Sequence, residues 1–298
     1  MTPAFDEDRL PEDQPPIMTS SVKRLIGFVD VLTEPTLRYA TIGVVTAPAG
    51  TGKTIASQIC HETLLRRFHT VLPVCIRVKV MGRSTSRTLL TDILIALGEK
   101  PKRQNERIQQ LSKEAATAIE RNDLRLIILD ESDRLRDDSF ELVRYLLDKT
   151  GCPQLLVGLP KILTVIEGHE KFDSRVGRRM SFDPLELDEV LKVVLPELVF
   201  PFWTFDPHNE DDRLMGIEIW RKVHPSLRKL RNLLETASTI AKVKKVAKIT
   251  LPIIREAYTW ALSQNEYHQP AMQATPAPGS HEDIANQRRA AREETHAR

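Results

Sequence analysis

The sequence predicts an α/β protein: a parallel sheet flanked by helices, followed by a small all-helical lid. Three observations predict it. Short apolar, β-branched runs alternate with helical patterns as far as residue 185, which is the signature of βαβ units. Residues 44–54 read VVTAPAGTGKT, a strand that ends in a small-residue loop and opens into a helical pattern. A phosphate-binding loop requires that context. From residue 186 onward the strand pattern stops and helices take over.

The chain divides on this basis into four parts. Residues 1–18 are an acidic, proline-rich leader with Asp6, Glu7, Asp8, Glu12 and Asp13, expected to be disordered. Residues 19–185 form the nucleotide-binding α/β domain, 186–266 the lid, and 267–298 a flexible tail. A chain of 298 residues with a net charge of +2 can bury a sizeable core and gives no global electrostatic pull on nucleic acid. Cys60, Cys75 and Cys152 are odd in number and form no C-x-x-C pair, so a reducing, cytoplasmic setting is expected. No apolar run approaches the roughly 18 residues of a membrane span, and the leader lacks a signal-peptide core.

The elements follow in order. Residues 22–32 have helical spacing and precede a first strand at 42–45. A helix runs over 53–68, and 71–80 reads as a second buried strand. Next, 81–98 (MGRSTSRTLLTDILIALG) is a short basic loop leading into an amphipathic helix with Leu89, Leu90, Ile93, Leu94 and Leu97 on one face. Another helix is predicted over 101–121. Residues 124–133 (LRLIILDESD) contain four consecutive apolar positions, as in a central strand buried on both faces. A helix over 138–149, a strand at 154–158 and a helix at 162–167 come next. FDSRVGRRMSFDPL (172–185) then sets Arg175, Arg178 and Arg179 just before a fifth strand at 179–182. Lid helices are predicted over 188–198, 212–223, 226–242 and 252–264. The stretch 221–255 carries ten Lys and Arg against a single acid, Glu235.

Each motif has a chemical reading. Ala47, Pro48, Ala49, Gly50, Thr51, Gly52, Lys53, Thr54 and Ile55 form the expected cradle for ATP. Gly50 and Gly52 let successive N–H groups turn inward onto an anion, and the following helix adds its N-terminal dipole. Lys53 would reach the β- and γ-phosphates, and Thr54 would offer a hydroxyl to Mg²⁺. Ala47 stands where the strict motif has glycine. Asp130 and Glu131 end the third strand at the sheet edge where ligands of open α/β sheets bind. Asp130 would hold Mg²⁺ through its water shell, and Glu131 would orient the attacking water as base.

These motifs together resemble an AAA+ ATPase over about residues 20–265. The wording IILDESDRLRDDSFELVRYLLD, LLVGLPKILTVI and FDSRVGRRMSF resembles more narrowly the transposition helper ATPases, the phage Mu B and TnsC group. That resemblance implies a bacterial or phage-encoded protein that binds ATP between subunits and assembles as a ring or filament on double-stranded DNA. It implies an arginine finger, Arg175 with Arg178 next, reaching the γ-phosphate of a neighbouring subunit. HPSLRKLRNLLETA (224–237) resembles the sensor-2 helix, with Arg228 touching nucleotide in its own subunit. Lys79, Arg83, Ser84, Thr85 and Arg87 match the loop that grips DNA in that group. Lys and Arg there would neutralise phosphates without reading sequence. One departure stands out. The polar residue usual at the end of the fourth strand is replaced by Gly158-Leu159-Pro160, which predicts slow hydrolysis.

The reading that follows is an ATP-dependent, sequence-nonspecific DNA-binding protein. Its partners would be further copies of itself, a DDE-type transposase and a target-selector protein. A replication initiator or helicase loader is the alternative within the same fold, for which an appended winged-helix domain would be expected. A secretion or signalling ATPase without DNA binding is a third reading.

Overall fold

The computed structural model describes residues 16–34, 41–68, 73–82, 84–100, 107–224 and 226–261. The tail, Arg83 and most of the leader lie outside the described residues.

The α/β part runs α1 (Ser20–Leu32), β1 (Ile42–Thr46), α2 (Lys53–Phe68), β2 (Cys75–Lys79), α3 (Ser86–Ala96), α4 (Ile108–Arg121), β3 (Leu126–Asp130), α5 (Asp137–Thr150), β4 (Gln154–Gly158), α6 (Lys161–Glu167), α7 (Glu170–Asp173) and β5 (Val176–Ser181). The five strands form one parallel sheet in the order β2-β3-β4-β1-β5. Strands β1, β3 and β4 are buried at every position, as an apolar run covered on both faces requires. Their side chains alternate between two cores. Val44, Leu129 and Leu156 meet α3, α4 and α5, while Val45, Ile128 and Val157 meet α1 and α2.

β5 starts earlier than the sequence predicts. It spans Val176–Ser181, so Arg178 lies inside it rather than before it and Arg179 is no longer its first residue. As an edge strand it buries only Met180, and that leaves it without the apolar signal of the central strands.

The lid comprises α8 (Leu187–Glu189), a π-helical turn (Val190–Val194), α9 (Leu195–Glu197), α10 (Glu210–Val223), α11 (Leu227–Val243) and α12 (Leu251–Ala261). The widened turn precedes Pro196, which has no N–H to give a carbonyl one turn back and whose ring crowds it. The lid helices close on a core of their own around Leu191, Met215, Ile219, Leu233, Leu234 and Ile254. Helix α1 bridges the two parts, with Arg24 paired to Asp183 and Ser20 bonded to Glu189.

Candidate nucleotide site

The phosphate loop leaves β1 after Thr46 and enters α2 at Lys53. Gly50 (φ +78°) and Gly52 (φ +87°) take the left-handed backbone that turns N–H groups to one side. The Thr51 hydroxyl donates to the Pro48 carbonyl (2.9 Å) and closes the loop on itself. Its base is fixed to the sheet where the Ala47 N–H donates to the Gly158 carbonyl (3.1 Å).

Asp130 ends β3 fully buried. One oxygen accepts the Glu131 N–H (2.9 Å), and the other takes the Arg77 guanidinium (2.7 Å). Ser57, one turn into α2, accepts from Arg77 Nε (2.9 Å) and donates to the Thr54 carbonyl (2.8 Å). The two expected metal partners, Thr54 and Asp130, are therefore joined through Ser57 and Arg77. A buried carboxylate linked through Ser57 to the helix start that carries Thr54 offers hard oxygen donors of the kind that fit Mg²⁺. Among the described residues no cluster of three His, Cys, Asp or Glu forms a separate metal site. His61 on the same helix is held below the ordinary imidazole range by burial, and the Arg77 charge adds to that shift.

Glu131 is the outlier of the site. Its backbone is left-handed (φ 56°), a strain that costs about 1–3 kcal/mol in a non-glycine residue. The turn aims its carboxylate between Arg134 (2.7 Å) and Lys79 (3.6 Å). Lys79, expected to meet DNA, is thus engaged with the proposed base.

Gly158 has a structural cause that the sequence does not reveal. A Cβ there would come within 3.0 Å of the Asp133 backbone nitrogen and 3.1 Å of its carboxylate. Asp133 occupies that space, accepting the Leu159 N–H (3.0 Å) and pairing with Lys161 (3.0 Å). Burial pushes the Asp133 carboxyl up, but the Leu159 N–H and Lys161 overcome it and hold it below the usual range.

The lid reaches this site. The Arg228 N–H donates to the Gly50 carbonyl (3.2 Å), so the start of α11 rests on the phosphate loop with the exposed Arg228 side chain beside it. Arg175 lies elsewhere. Its carbonyl accepts the Ile42 N–H at the start of β1, four strand residues and about 13 Å from the phosphate loop. Its guanidinium pairs with both Asp148 oxygens (3.1 and 3.3 Å). It cannot meet phosphate in its own chain. Arg179 pairs with Asp173.

The expected DNA loop is brought together only in part. Ser84 is buried, bridged to Leu135, with its carbonyl taking the Ser139 hydroxyl. It is not available to a DNA backbone, because β-type pairing carries it under α5. Thr85 caps α3 by accepting the Thr88 N–H (3.3 Å). Four of the ten basic residues of the 221–255 stripe are held in ion pairs. Asp212, Glu218 and Glu256 come from other segments to meet Lys248, Arg255 and Lys244, and Arg231 pairs with Glu235.

The decisive comparison is with known domains. The family model described as AAA domain (AAA_22) matches residues 36–166, the span from before β1 through α6. The chain carries an AAA+ P-loop fold. A potential ATP-binding protein of Staphylococcus aureus is 26% identical over 193 residues, covering 58% of this chain and 69% of that protein. Cdc6p of Pyrobaculum aerophilum superposes with a TM-score of 0.67 at 15% identity, covering 90% of this chain and 75% of the other. ORC2 of Aeropyrum pernix gives 0.68 at 15% identity, with 88% and 73% covered. ORC1 of the same organism, solved in complex with DNA, gives 0.61 at 17% identity, with 87% and 68% covered. At these identities the structures speak for the AAA+ fold, lid included. None of the three is described as a transposition helper, so the narrower Mu B and TnsC resemblance rests on sequence wording alone. The AAA+ frame also isolates what sequence reasoning passed over: Arg77, Ser57, Asp133 and Lys161. Two of these carry a signal, since Arg77 interrupts an apolar strand and Asp133 is the last acid of LDESD.

Proposed function

We propose that this chain is an ATP-driven AAA+ switch that assembles with copies of itself and works on duplex DNA. One observation carries the reading. Lys53 and Thr54, Asp130 and Glu131, and Arg228 converge from three segments on one end of the sheet, while Arg175 stands at the other. A site completed by Arg175 then needs a second copy, whose guanidinium would offset charge on the transferred phosphoryl group. Lys53 binds the phosphates, Thr54 and Asp130 hold Mg²⁺, and Glu131 orients water once Arg134 and Lys79 release it. Mg²⁺ supplies neutralisation of the phosphate charge when bound.

DNA enters as a proposal from two sources: the basic residues around the start of α3, and the ORC1 relative described as bound to DNA. The kind of work is proposed to be initiator-like loading, in line with the three solved relatives. A second reading, target-DNA binding on behalf of a DDE-type transposase, is favoured by the wording of the β3 and β4 segments.

The test is duplex-DNA binding and assembly by the purified chain with ATP, ADP or no nucleotide, across a salt series. ATP-dependent assembly that Glu131→Gln strengthens and Lys53→Ala abolishes supports the switch. If the Glu131→Gln protein assembles no better than wild type in ATP, the switch is wrong. Stimulation of DNA strand joining by an added transposase would move the reading to transposition.

A further inference from the structure

Arg77 lies in the middle of β2, between the buried Ile76 and Val78, with its side chain 18% exposed. A buried guanidinium costs several kcal/mol unless its charge and its donors are met. Here they are met by the nucleotide site itself. Arg77 gives one N–H to Asp130 (2.7 Å) and its Nε–H to Ser57 (2.9 Å), and Ser57 passes the link on to the Thr54 carbonyl (2.8 Å). One cation from β2 thus ties the end of β3 to the first turn of α2. These are the two elements that must stay together for a phosphate site.

The electrostatic consequence is specific. A buried carboxylate next to a polyphosphate repels it, and in a low-dielectric site the repulsion is much stronger than in water. A bound divalent cation ordinarily offsets such a charge. At Asp130 the offset is already built into the chain.

We propose that Arg77 is a resident counter-cation for Asp130 that holds the phosphate site in binding geometry without metal. Nucleoside di- and triphosphates then bind with little dependence on Mg²⁺, and the metal is needed for hydrolysis. The inference rests on the nucleotide-site reading above. It separates binding, which Arg77 supports, from chemistry, which it does not.

The experiment titrates a fluorescent ADP analogue into the full chain, once in Mg²⁺ and once in EDTA, and reads the ratio of the two Kd values. Wild type is expected to differ by less than about threefold. Arg77→Met should widen the ratio to about tenfold or more, equivalent to about 1.4 kcal/mol. Arg77→Lys, which keeps a cation, should stay near wild type. Because Arg77→Met strands a buried carboxylate and can fail to fold, Arg77→Gln, which keeps N–H donors in place of the charge, is measured beside it. Its ratio should widen as that of Arg77→Met does. A wild-type loss of more than about tenfold in EDTA overturns the inference, as does an Arg77→Gln ratio that stays at the wild-type value. Equal ratios in wild type and Arg77→Met overturn it alone and leave the nucleotide site standing. Failure of wild type to bind the analogue in either buffer sinks the nucleotide-site reading and this inference with it.

Discussion

The backbone N–H of Arg228 is bonded to the Gly50 carbonyl, and Ser226 fills the space where Gly50 would carry a Cβ. The lid is therefore keyed to the phosphate loop at Gly50, with Leu227 set against Gly52 beside it. Gly50→Ala meets both a positive φ and a Cβ only 2.4 Å from the Ser226 hydroxyl. It should destabilise the chain by about 1–3 kcal/mol and detach the lid. Ser226→Gly in the same chain should recover part of that loss, because it removes the contact and leaves the backbone strain. Thermal unfolding of the four proteins gives the coupling directly; full additivity would show that the two residues do not meet.

Lys53 and Glu131 should separate binding from hydrolysis. Lys53→Ala removes the only lysine of the phosphate loop and is expected to abolish ATP binding. Glu131→Gln keeps the shape and removes the base, so binding persists while turnover falls about 10²–10⁴-fold. Calorimetry for binding and phosphate release for turnover are the two readouts. Equal loss of both in Glu131→Gln would deny Glu131 the role of base.

Restoring the customary polar residue at the end of β4 should do harm. In Gly158→Ser the new Cβ would press on Asp133 and Ser132, and overpacking of this kind costs about 1–3 kcal/mol. Denaturant unfolding should report that loss, and phosphate release should show no gain in turnover. Faster hydrolysis in Gly158→Ser would mean that the Asp133 loop yields and that Gly158 itself limits the rate.

Asp133 should also set part of the acid sensitivity. The Leu159 N–H and Lys161 hold its carboxyl below the usual range against the opposing effect of burial. A carboxyl lowered on folding adds stability above the ordinary aspartate pKa. That stability fades as pH falls through the lowered value. Asp133→Asn should therefore be less stable than wild type near neutrality, with the gap narrowing in acid. Unfolding midpoints measured from pH 7 down to about pH 3 check this, and a gap that stays constant would assign the loss to packing alone.

Much of this was legible in the sequence because the signals are local. GTGKT between an apolar strand and a helix, and four apolar residues running into Asp130 and Glu131, need only their own neighbours to be read. Strand β4 matches its expected bounds for the same reason. What stayed hidden depends on partners distant in the chain. The basic stripe looked uncompensated because Asp212 and Glu256 lie outside or beyond it. Ser84 looked like a loop residue because nothing nearby announces its bridge to Leu135. Gly158 looked like a missing side chain, whereas the acid that fills its place comes from the turn that follows the neighbouring strand β3. Edge strand β5, with one buried residue, offers the eye no apolar run at all.

Arg175 gives the sharpest test of whether the site is shared between copies. Its guanidinium is half-buried and paired with Asp148 at the opposite end of β1 from the phosphate loop. A pair this open to solvent contributes at most about 1 kcal/mol to stability, so Arg175→Ala should fold and bind ATP as wild type does. If the residue completes a neighbour's site, turnover in the assembled state should fall about 10³-fold or more. Mixing then discriminates cis from trans. Lys53→Ala has an intact arginine but no phosphate loop lysine, and Arg175→Ala has the reverse. Each is inactive alone, yet a mixture should regain turnover because Lys53→Ala subunits lend their arginine to intact loops. A mixture that stays inactive, alongside an Arg175→Ala protein that hydrolyses ATP normally, would return Arg175 to the role of a surface ion pair.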